Sequence, residues 1–336
     1  MSNRQVVLRS YVKGVPEIEN FGMVDGRKPA PKQGEFVVRN LYFSLEAAIR
    51  GWLDGSPNYF EPIPIGGVIR GPTVGRVVES RNPNFREGDI VWGLNHWEEF
   101  SLLDDNTILL RKLETRPGVP LSYYIGALGG SGQTGYVGMH TIGRIKPGDT
   151  VVVSAAVGAT GSIAAQVAKV HGCRVIGIVG SAAKVKVAKS LGMDDVVDYR
   201  ATPDVAAAVK ALCPNGVDVY FDNVGGTTLD AMLLNMNDRG RIVCCGMISD
   251  YNHQDKPTPI YNIWQMVVKQ IEMRGFLLHL TSETIPEAMD NLHKWIGEGR
   301  IKVLENITRG IENSGKAYSE MLKGSTIGKN SVELVE

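Results

Sequence analysis

The sequence lacks an apolar run of the roughly 18–20 residues that a membrane-spanning helix needs, and its first residues carry no apolar signal-peptide core. It also lacks an excess of either charge, because 36 Lys and Arg balance 36 Asp and Glu. No block of basic residues suggests a nucleic-acid-binding surface. These absences predict a cytoplasmic protein that binds neither membranes nor nucleic acids.

Cysteine is scarce: the 336 residues contain only Cys173, Cys213, Cys244 and Cys245. Cys244 and Cys245 are neighbours inside an apolar run, so they are expected to be buried strand residues. Free thiols of this kind are typical of a reducing compartment. The length and the 43% apolar content allow more than one hydrophobic core, so two domains are expected.

Two patterns divide the chain. Residues 1–125 contain β-type runs broken by Gly and Pro, with strands predicted at 35–43, 72–80 and 88–93, which favours a barrel-like domain. Residues 126–300 alternate strand-like and helix-like runs, which predicts an α/β domain with a doubly wound parallel six-stranded sheet. Its strands are predicted at 150–154, 174–179, 195–198, 217–222, 240–245 and 272–278, and its helices near 161–171, 181–191, 203–213, 226–236, 260–270 and 283–299. Residues 300–336 return to short strand-like pieces and are expected to complete the first domain.

A glycine turn follows the strand predicted at 150–154, with the sequence Ala156-Val157-Gly158-Ala159-Thr160-Gly161. Gly158 would let the backbone approach a pyrophosphate, and Gly161 would let the following helix pack close to the sheet. Ala156 replaces the first glycine of the usual pattern. Because a β-rich run precedes the turn and a helical pattern follows it, the turn predicts a dinucleotide site rather than a merely structural connection.

The next strand ends without the acidic residue that usually binds the ribose 2′-hydroxyl of NAD. Gly180 and Ser181 stand there, Lys184 follows, and Tyr199 comes after the third strand. A carboxylate would repel a 2′-phosphate, so its absence beside Lys184 favours NADPH. The alternative is that Lys184 is an ordinary solvated helix lysine.

Two further segments follow predicted strands at the same sheet edge, where doubly wound sheets bind ligands. Asn223 comes after the fourth strand and is a candidate cofactor contact. After the fifth strand come Cys245, Gly246, Met247, Ile248, Ser249, Asp250 and Tyr251.

Several segments together resemble one family. They are FEPIPIGGVIRGPTVGRVVESRNPNFREGDIVWG (60–93), the Gly158 turn, GSAAK (180–184), YFDNVGG (220–226), CGMISDYN (245–252), RGFLL (274–278) and IGK (327–329). Over nearly its whole length the chain resembles the zinc-free medium-chain dehydrogenases/reductases, and within them the prostaglandin reductase (leukotriene B4 12-hydroxydehydrogenase), NADP-dependent alkenal double-bond reductase and curcumin reductase group. The resemblance implies a GroES-like β-barrel domain that holds part of the substrate cleft and a Rossmann domain that holds NADPH.

The resemblance also implies a set of cofactor contacts. They are expected at Thr134, Gly158, Ala159, Thr160, Gly161, Gly180, Ser181, Lys184, Tyr199, Asn223, Cys245, Gly246, Met247, Ile248, Ser249, Tyr251, Phe276, Leu277, Leu278 and Thr326. Thr326 stands where relatives have Asn. The segment 44–50 reads SLEAAIR where relatives tend to have SVDPYMR, and the aromatic residue lost at Ala48 is expected to reshape the substrate entrance. The glycine-rich segment 129–138 is also unusual.

Zinc-dependent members of the superfamily place Cys or His where this chain has Ser44, and a His-Glu pair where it has Gly67 and Val68. A catalytic zinc needs about three such ligands, so no metal is expected. Without a Lewis acid, and without the Tyr-x-x-x-Lys pattern of short-chain reductases, carbonyl reduction lacks its usual activation. The remaining reaction for NADPH is hydride transfer to the β-carbon of an α,β-unsaturated aldehyde or ketone, which belongs to the oxidoreductases that act on CH–CH donors.

Tyr251 is the predicted catalytic residue. A phenol has an ordinary pKa of about 10, so it stays protonated at neutral pH and would stabilise the enolate together with a ribose hydroxyl of the cofactor. The alternative is that Tyr251 only packs on the cofactor. Apolar and aromatic walls are expected around the substrate, with candidates Tyr59, Trp92, Tyr261, Trp264 and Leu278. Arg50 is a further candidate contact, unless it is salt-bridged.

Two other functions stay open on the sequence. One is an NADPH quinone reductase of the same superfamily, and the other is a non-catalytic NADPH-binding protein. The strand predicted at 272–278 lies at a sheet edge, and exposed edges invite pairing. Members of the resembling family are commonly dimers joined in this region, so a homodimer is predicted.

Overall fold

The computed structural model describes residues 2–253, 256–278 and 282–334. The described strands are β1 (Ser2–Leu8), β2 (Phe21–Arg27), β3 (Glu35–Ser44), β4 (Arg70–Ser80), β5 (Ile90–His96), β6 (Phe100–Asp104), β7 (Arg111–Lys112), β8 (Thr150–Ser154), β9 (Arg174–Val179), β10 (Asp195–Asp198), β11 (Val217–Asp222), β12 (Met236–Cys244), β13 (Glu272–Gly275), β14 (Glu305–Arg309) and β15 (Lys329–Glu333). The described α-helices are α1 (Leu121–Ile125), α2 (Gly130–Val137), α3 (Ala159–Val170), α4 (Ala182–Ser190), α5 (Val205–Leu212), α6 (Gly226–Asn235), α7 (Gln265–Val268), α8 (Ile285–Gly297) and α9 (Ser314–Leu322). Short 3₁₀ turns cover Ile18–Asn20, Ala47–Trp52, Ser282–Thr284 and Ile311–Asn313, and a π turn covers Gly138–Ile142.

Packing divides the described residues into two units. The first contains residues 2–126, 305–326 and 330–334, and the second contains 127–253, 256–278, 282–304 and 327–329. In neither unit is a described helix long and apolar enough to cross a membrane.

A six-stranded parallel sheet forms the centre of the second unit. Its strand order is β10-β9-β8-β11-β12-β13, and all neighbouring strands run parallel. This is the doubly wound order of a Rossmann sheet, so the predicted fold class is confirmed. Strands β8 to β11 have the predicted bounds, because each is a short run rich in β-branched or aromatic residues with turn residues at both ends. Val152, Tyr220 and Ile242 are at most 1% exposed in its core.

The first unit is built from antiparallel strands. β1 pairs with β2, and a seven-stranded sheet has the order β14-β15-β3-β4-β5-β7, with β6 also paired to β3. The strands predicted at 35–43, 72–80 and 88–93 are present as β3, β4 and β5 with slightly different ends. Trp97 is fully buried, stacking on Phe43 at 5.2 Å and meeting Tyr318 of α9 edge-on at 5.6 Å. This aromatic cluster packs α9 against the sheet.

The helix predicted at 260–270 is wrong in extent, because only α7 forms there. Pro257 and Pro259 precede the segment and have no N–H to donate. The N–H groups of Tyr261 and Asn262 then donate to Asp230 Oδ1, at 2.7 Å each, instead of to a preceding helical turn. A side chain from α6 thus replaces the first turn of the predicted helix.

The strands predicted at 240–245 and 272–278 also differ from the structure. β12 begins at Met236, four residues before the predicted start at 240. β13 ends at Gly275 rather than at 278, so Phe276 and Leu277 follow the strand. β13 is therefore short, as edge strands usually are.

Three helices were not predicted, namely α1, α2 and α9. The glycine-rich segment that was singled out as unusual forms α2 and the π turn after it. A Cβ at position 135 would lie 3.0 Å from Ala164 N on α3, and a Cβ at position 138 would lie 2.4 Å from the Phe221 ring. The glycines therefore let this helix approach α3 and the sheet closely, and that packing offsets the low helix propensity of glycine.

Candidate active site

The turn after β8 has the geometry that a dinucleotide-binding turn requires. Ala155 turns the chain with φ of +47°, and α3 begins at Ala159 with Gly158 as its N-cap. A Cβ at position 161 would lie 2.4 Å from Ala155 O, so Gly161 allows the helix to begin this close to the strand. Gly158 has no side chain that could cap the first N–H groups of α3. Uncapped N–H groups at a helix start are suited to binding phosphate.

A segment from near the end of the chain supports this turn. Gly328 N donates to Val157 O at 2.8 Å, and residues 158 and 328 form a parallel bridge. Gly328 has φ of +77°, and a Cβ there would lie 2.5 Å from Leu304 O. Glycine is therefore required at position 328, in the IGK motif. The sequence indicated no role for this position.

Gly180, Ser181, Lys184 and Tyr199 lie together beyond the end of β9, and we call them the phosphate corner. A Cβ at position 180 would lie 2.7 Å from the Tyr199 ring, so the tyrosine lies directly over the glycine. Ser181 caps α4 by accepting a hydrogen bond from Lys184 N at 3.3 Å. Burial lowers the pKa of the Lys184 ammonium, and the charge of Arg200 lowers it further. A bound phosphate would offset both effects.

Arg200 is a candidate that was not predicted from the sequence. Its guanidinium lies 5.9 Å from the centre of the Tyr199 ring, and its backbone N donates to Asp198 Oδ1 at 3.1 Å. Its position directly after Tyr199 could have indicated it as a cofactor contact. The sequence did not show that Lys184, from another element, lies close enough to feel its charge.

Asn223 is anchored at the end of β11 by the neighbouring strand. Its side-chain Nδ2 donates to Ser154 O at 2.7 Å, and its backbone N donates to Ser154 Oγ at 2.9 Å. Since Ser154 is the last residue of β8, Asn223 lies at the same sheet edge as the glycine turn. This is the position that the sequence predicted for it.

Hydrogen bonds attach the loop 245–251 to the turn that follows β11. Cys245 N and Gly246 N both donate to Asp222 O, at 2.8 and 3.1 Å, and Ile248 N donates to Asn223 O at 3.2 Å. Ser249 Oγ donates to Val224 O at 2.6 Å. The loop that carries Tyr251 is therefore held beside Asn223.

Tyr251 is half-buried, and its hydroxyl accepts a hydrogen bond from Met247 N at 3.3 Å. Burial raises the pKa of this phenol; the bond from Met247 lowers it, and electrostatic interactions with Cys245 and Asp222 raise it. Because the hydroxyl oxygen accepts from its own loop, the phenol proton is left for another acceptor. The side chain is thus a protonated donor at the edge of the sheet.

The remaining cofactor candidates lie in both units. Thr134 is on α2, and Phe276 lies against the π turn, where a Cβ at position 138 would be 3.1 Å from its ring. Leu277 and Leu278 follow it along the chain. Thr326 belongs to the first unit, and its Oγ1 accepts from Asn330 Nδ2 at 3.0 Å.

The contacts that Arg50 makes within the first unit account for its burial. It is 3% exposed, its Nε donates to Gly14 O at 3.0 Å, and a second nitrogen donates to Val12 O at 3.3 Å. Its guanidinium also pairs with Asp54 at 3.2 Å. The salt-bridged alternative fits this arrangement, so a substrate contact for Arg50 gains no support.

The aromatic substrate candidates differ strongly in exposure. Trp92 is only 4% exposed and lies beneath the Arg111 guanidinium at 4.4 Å, which is the environment of a core residue. Tyr59 is 47% exposed and meets the Trp52 ring edge-on at 5.9 Å. Tyr261 and Trp264 are 79% and 66% exposed. The last three rings are therefore available to a ligand or partner, while Trp92 is not.

The positions of the zinc ligands in zinc-dependent relatives carry other chemistry here. Ser44 is buried, and its Oγ donates to Glu46 Oε1 at 2.6 Å. Gly67 and Val68 have no ligand atom in their side chains. Across residues 2–253, 256–278 and 282–334, no group of three or more His, Cys, Asp or Glu is placed to hold a metal ion.

Known proteins resemble this chain in both sequence and fold. Residues 4–110 match the family model for the N-terminal domain of oxidoreductase, and residues 159–294 match the model for zinc-binding dehydrogenase. The chain is 39% identical to the NADP(+)-dependent 2-alkenal reductase of Nicotiana tabacum, over 99% of this chain and 97% of that protein.

The chain belongs to the zinc-free medium-chain dehydrogenase/reductase family. It is also 36% identical to the NADPH-dependent curcumin reductase of Escherichia coli, over 97% of this chain and 95% of that one. CurA from Vibrio vulnificus in complex with NADPH superposes with a TM-score of 0.92 at 36% identity, covering 99% of both chains. As a medium-chain dehydrogenase/reductase, the chain is an oxidoreductase. Ser44 and Gly67, which stand where zinc-dependent members have ligands, lie outside the residues 159–294 that match the model described as zinc-binding.

Proposed function

We propose that this protein uses NADPH to reduce the carbon–carbon double bond of α,β-unsaturated aldehydes and ketones. The observation that carries the proposal is Tyr251. Its phenol lies at the sheet edge beside Asn223, with its oxygen accepting from Met247 N and its pKa raised by burial. A donor of this kind suits the negative charge that develops on a substrate carbonyl oxygen.

The choice of NADPH rests on the phosphate corner. Gly180 and Ser181 stand where an NAD-binding sheet carries an acidic residue, and the cations of Lys184 and Arg200 lie close together there. Holding two like charges together costs free energy that a phosphate recovers. The relatives that are named as NADPH- or NADP(+)-dependent support the same choice.

The chain's own residues would hold the cofactor and stabilise charge on the substrate. The glycine turn and the first N–H groups of α3 would bind the pyrophosphate, and Asn223 and the loop 245–251 would line the nicotinamide side. Bound NADPH supplies the hydride. Tyr251 would donate its hydrogen bond to the carbonyl oxygen while the hydride goes to the β-carbon, and the α-carbon then takes a proton from Tyr251 or from water.

A homodimer remains part of the proposal. Tyr261, Ile263, Trp264, Val267 and Val268 are 47–79% exposed on and around α7, and apolar patches of this kind commonly mark an interface. β13 is paired to β12 on one side and ends the described sheet on the other. We expect light scattering to give twice the monomer mass and the variant Val268→Asp to lower it. A monomeric wild-type protein would contradict this part.

The test of the function is a substrate panel with NADPH. We expect consumption of NADPH with medium-chain 2-alkenals and 2-enones, and a saturated aldehyde or ketone as the product. Turnover of quinones but not of alkenals would favour a quinone reductase. NADPH binding without turnover of any of these would favour a non-catalytic protein. Formation of an allylic alcohol would contradict the proposal outright.

A further inference from the structure

Asp222 is a buried carboxylate at the end of β11, and it is 1% exposed. One of its oxygens, Oδ1, accepts from four donors: Tyr220 Oη at 2.7 Å, Val224 N and Gly225 N at 3.0 Å each, and Ser154 Oγ at 3.2 Å. A carboxylate that receives this many hydrogen bonds is held in one position. The bonds to Val224 and Gly225 fix the turn that leads into α6.

Ser154 connects this carboxylate to Asn223. The serine hydroxyl donates to Asp222 and accepts from Asn223 N at 2.9 Å, while Ser154 O accepts from the Asn223 side chain at 2.7 Å. The hydroxyl that Asp222 orients therefore holds the Asn223 backbone, and the carbonyl of the same serine holds the Asn223 side-chain amide.

The turn that Asp222 fixes is packed directly against the loop of Tyr251. Gly225 has φ of +70°, and a Cβ there would lie 3.1 Å from Met247 Cγ. Gly226 has φ of +53°, and a Cβ there would lie 2.8 Å from Ser249 Oγ. With so little space between turn and loop, a displacement of the turn would displace Met247, whose N–H binds the Tyr251 hydroxyl.

We propose that Asp222 is a positioning residue of this site, whose carboxylate holds the Asn223–Gly226 turn and through it keeps Asn223 and Tyr251 in their working positions. The inference rests on the function proposed for Tyr251 and deepens it. Asp222 itself acts only through the residues it holds.

The electrostatics agree with this placement. Burial holds the pKa of the Asp222 carboxyl above its usual value, and the bonds from Gly225, Tyr220, Val224 and Ser154 oppose that rise because they favour the charged form. The Asp222 charge in turn contributes to the raised pKa of Tyr251. Replacing the carboxylate by a neutral group should therefore lower the pKa of Tyr251, so that its phenol loses its proton at a lower pH.

Two substitutions separate the geometry from the charge. Asp222→Ala removes the acceptor, and we expect the NADPH dissociation constant to rise about tenfold and kcat to fall about tenfold, because buried donors lose their partner. Asp222→Asn keeps an acceptor oxygen, so we expect the dissociation constant to stay within about threefold. In that variant the alkaline limb of kcat and the tyrosinate absorbance of Tyr251 should both move to lower pH. The Tyr251 signal is obtained by difference from the same protein carrying Tyr251→Phe.

Asp218→Asn is the matched control. Asp218 lies on the same strand at the opposite end, where it accepts from Thr150 N and Asn237 Nδ2 at 2.8 Å each. We expect this variant to keep the NADPH affinity, the kcat and the alkaline limb of the wild type. If Asp222→Asn and Asp218→Asn behave alike on all three measurements, the inference is overturned, and it is also overturned if Asp222→Ala binds and turns over as the wild type does.

Ser154→Ala keeps the test decisive if Asp222→Ala does not fold. This substitution removes the hydroxyl that binds both Asp222 and Asn223 N, but it leaves the bonds that Asp222 accepts from Tyr220, Val224 and Gly225. We expect a several-fold loss of NADPH affinity, and wild-type affinity would count against the proposal. If the wild type makes no saturated carbonyl product, the proposed function fails, while the binding and tyrosinate measurements still decide the role of Asp222.

Discussion

The turns after β8 and β11 leave adjacent strands of the same parallel sheet, but they are built from different chemistry. The first, from Ala155 to Gly161, has no ionisable side chain and relies on glycine and on the bond from Gly328. The second, from Asp222 to Gly226, is fixed by a buried carboxylate with four donors on one oxygen.

The difference indicates two separate tasks. A turn whose backbone N–H groups have no side-chain cap leaves space for the phosphates of a ligand, and the dipole of the following helix attracts them. A turn fixed by its own carboxylate cannot receive a phosphate, but it can hold neighbouring side chains in one position. We therefore expect changes near the first turn and the phosphate corner to alter cofactor affinity, whereas changes near the second turn should also alter turnover.

The largest expected effect is on the side of the second turn. Tyr251→Phe should lower kcat about 100-fold, because removal of a single oxyanion donor typically costs about 2.7 kcal/mol or more. The NADPH dissociation constant should stay within about twofold of the wild type. Steady-state kinetics and a fluorescence titration measure the two quantities. The exposed phenol of Tyr11 is the control, since Tyr11→Phe should change neither, and an equal loss of affinity in Tyr251→Phe would erase the contrast between the turns.

The next effect is at the phosphate corner. Lys184→Ala should weaken NADPH binding about 10- to 100-fold, the loss expected for a charge-assisted hydrogen bond, while NADH binding changes little. Lys186→Ala, on the exposed side of the same helix, should leave both affinities unchanged. Parallel titrations with the two nucleotides provide the comparison. Equal losses for NADPH and NADH would show that Lys184 does not read the 2′-phosphate.

A smaller effect is expected from the first turn itself. Gly161→Ala places a Cβ 2.4 Å from Ala155 O, and overpacking of this kind costs about 1–3 kcal/mol of unfolding free energy. The turn must also shift, so NADPH affinity should fall. Gly297→Ala in α8 meets nothing within 4 Å and should be neutral or stabilising. Denaturant unfolding of both variants makes the measurement, and equal stability would mean that the turn tolerates the methyl group.

The smallest effect is at Arg200. Because Arg200 is exposed and exposed ion pairs contribute about 0.2–1 kcal/mol, Arg200→Ala should weaken NADPH binding about two- to fivefold. The effect should shrink at high salt, since screening weakens exposed charge pairs. A titration at two ionic strengths tests this. Unchanged affinity at low salt would remove Arg200 from the phosphate corner.

The sequence predicted those parts of the molecule in which local pattern and packing agree. Strands β8 to β11 combine β-branched residues with turn residues at both ends, and their bounds were predicted correctly. α2 was missed because three of its eight residues are glycine, and it is helical only where α3 and the sheet approach closely. α9 was missed because its burial depends on contacts with Trp97, which follows β5 and is distant in sequence.

The same division applies to the site. The glycine turn, Lys184, Asn223 and Tyr251 were predicted because motif and strand position both indicated them. Asp222 was passed over, because the convergence of three local donors and the distant Ser154 on one carboxylate oxygen is seen only in the fold. For Arg50 the sequence left a substrate contact and a salt bridge open, because Asp54 lies four residues away but the bonds to Val12 and Gly14 form only in the fold.

The proposed reaction is defined by the carbon atom that receives the hydride. The direct measurement uses NADPH labelled with deuterium at the transferable position, together with a 2-alkenal and the purified protein. We predict deuterium on the β-carbon of a saturated aldehyde, with none at the carbonyl carbon. Deuterium at the carbonyl carbon of an allylic alcohol would contradict the account.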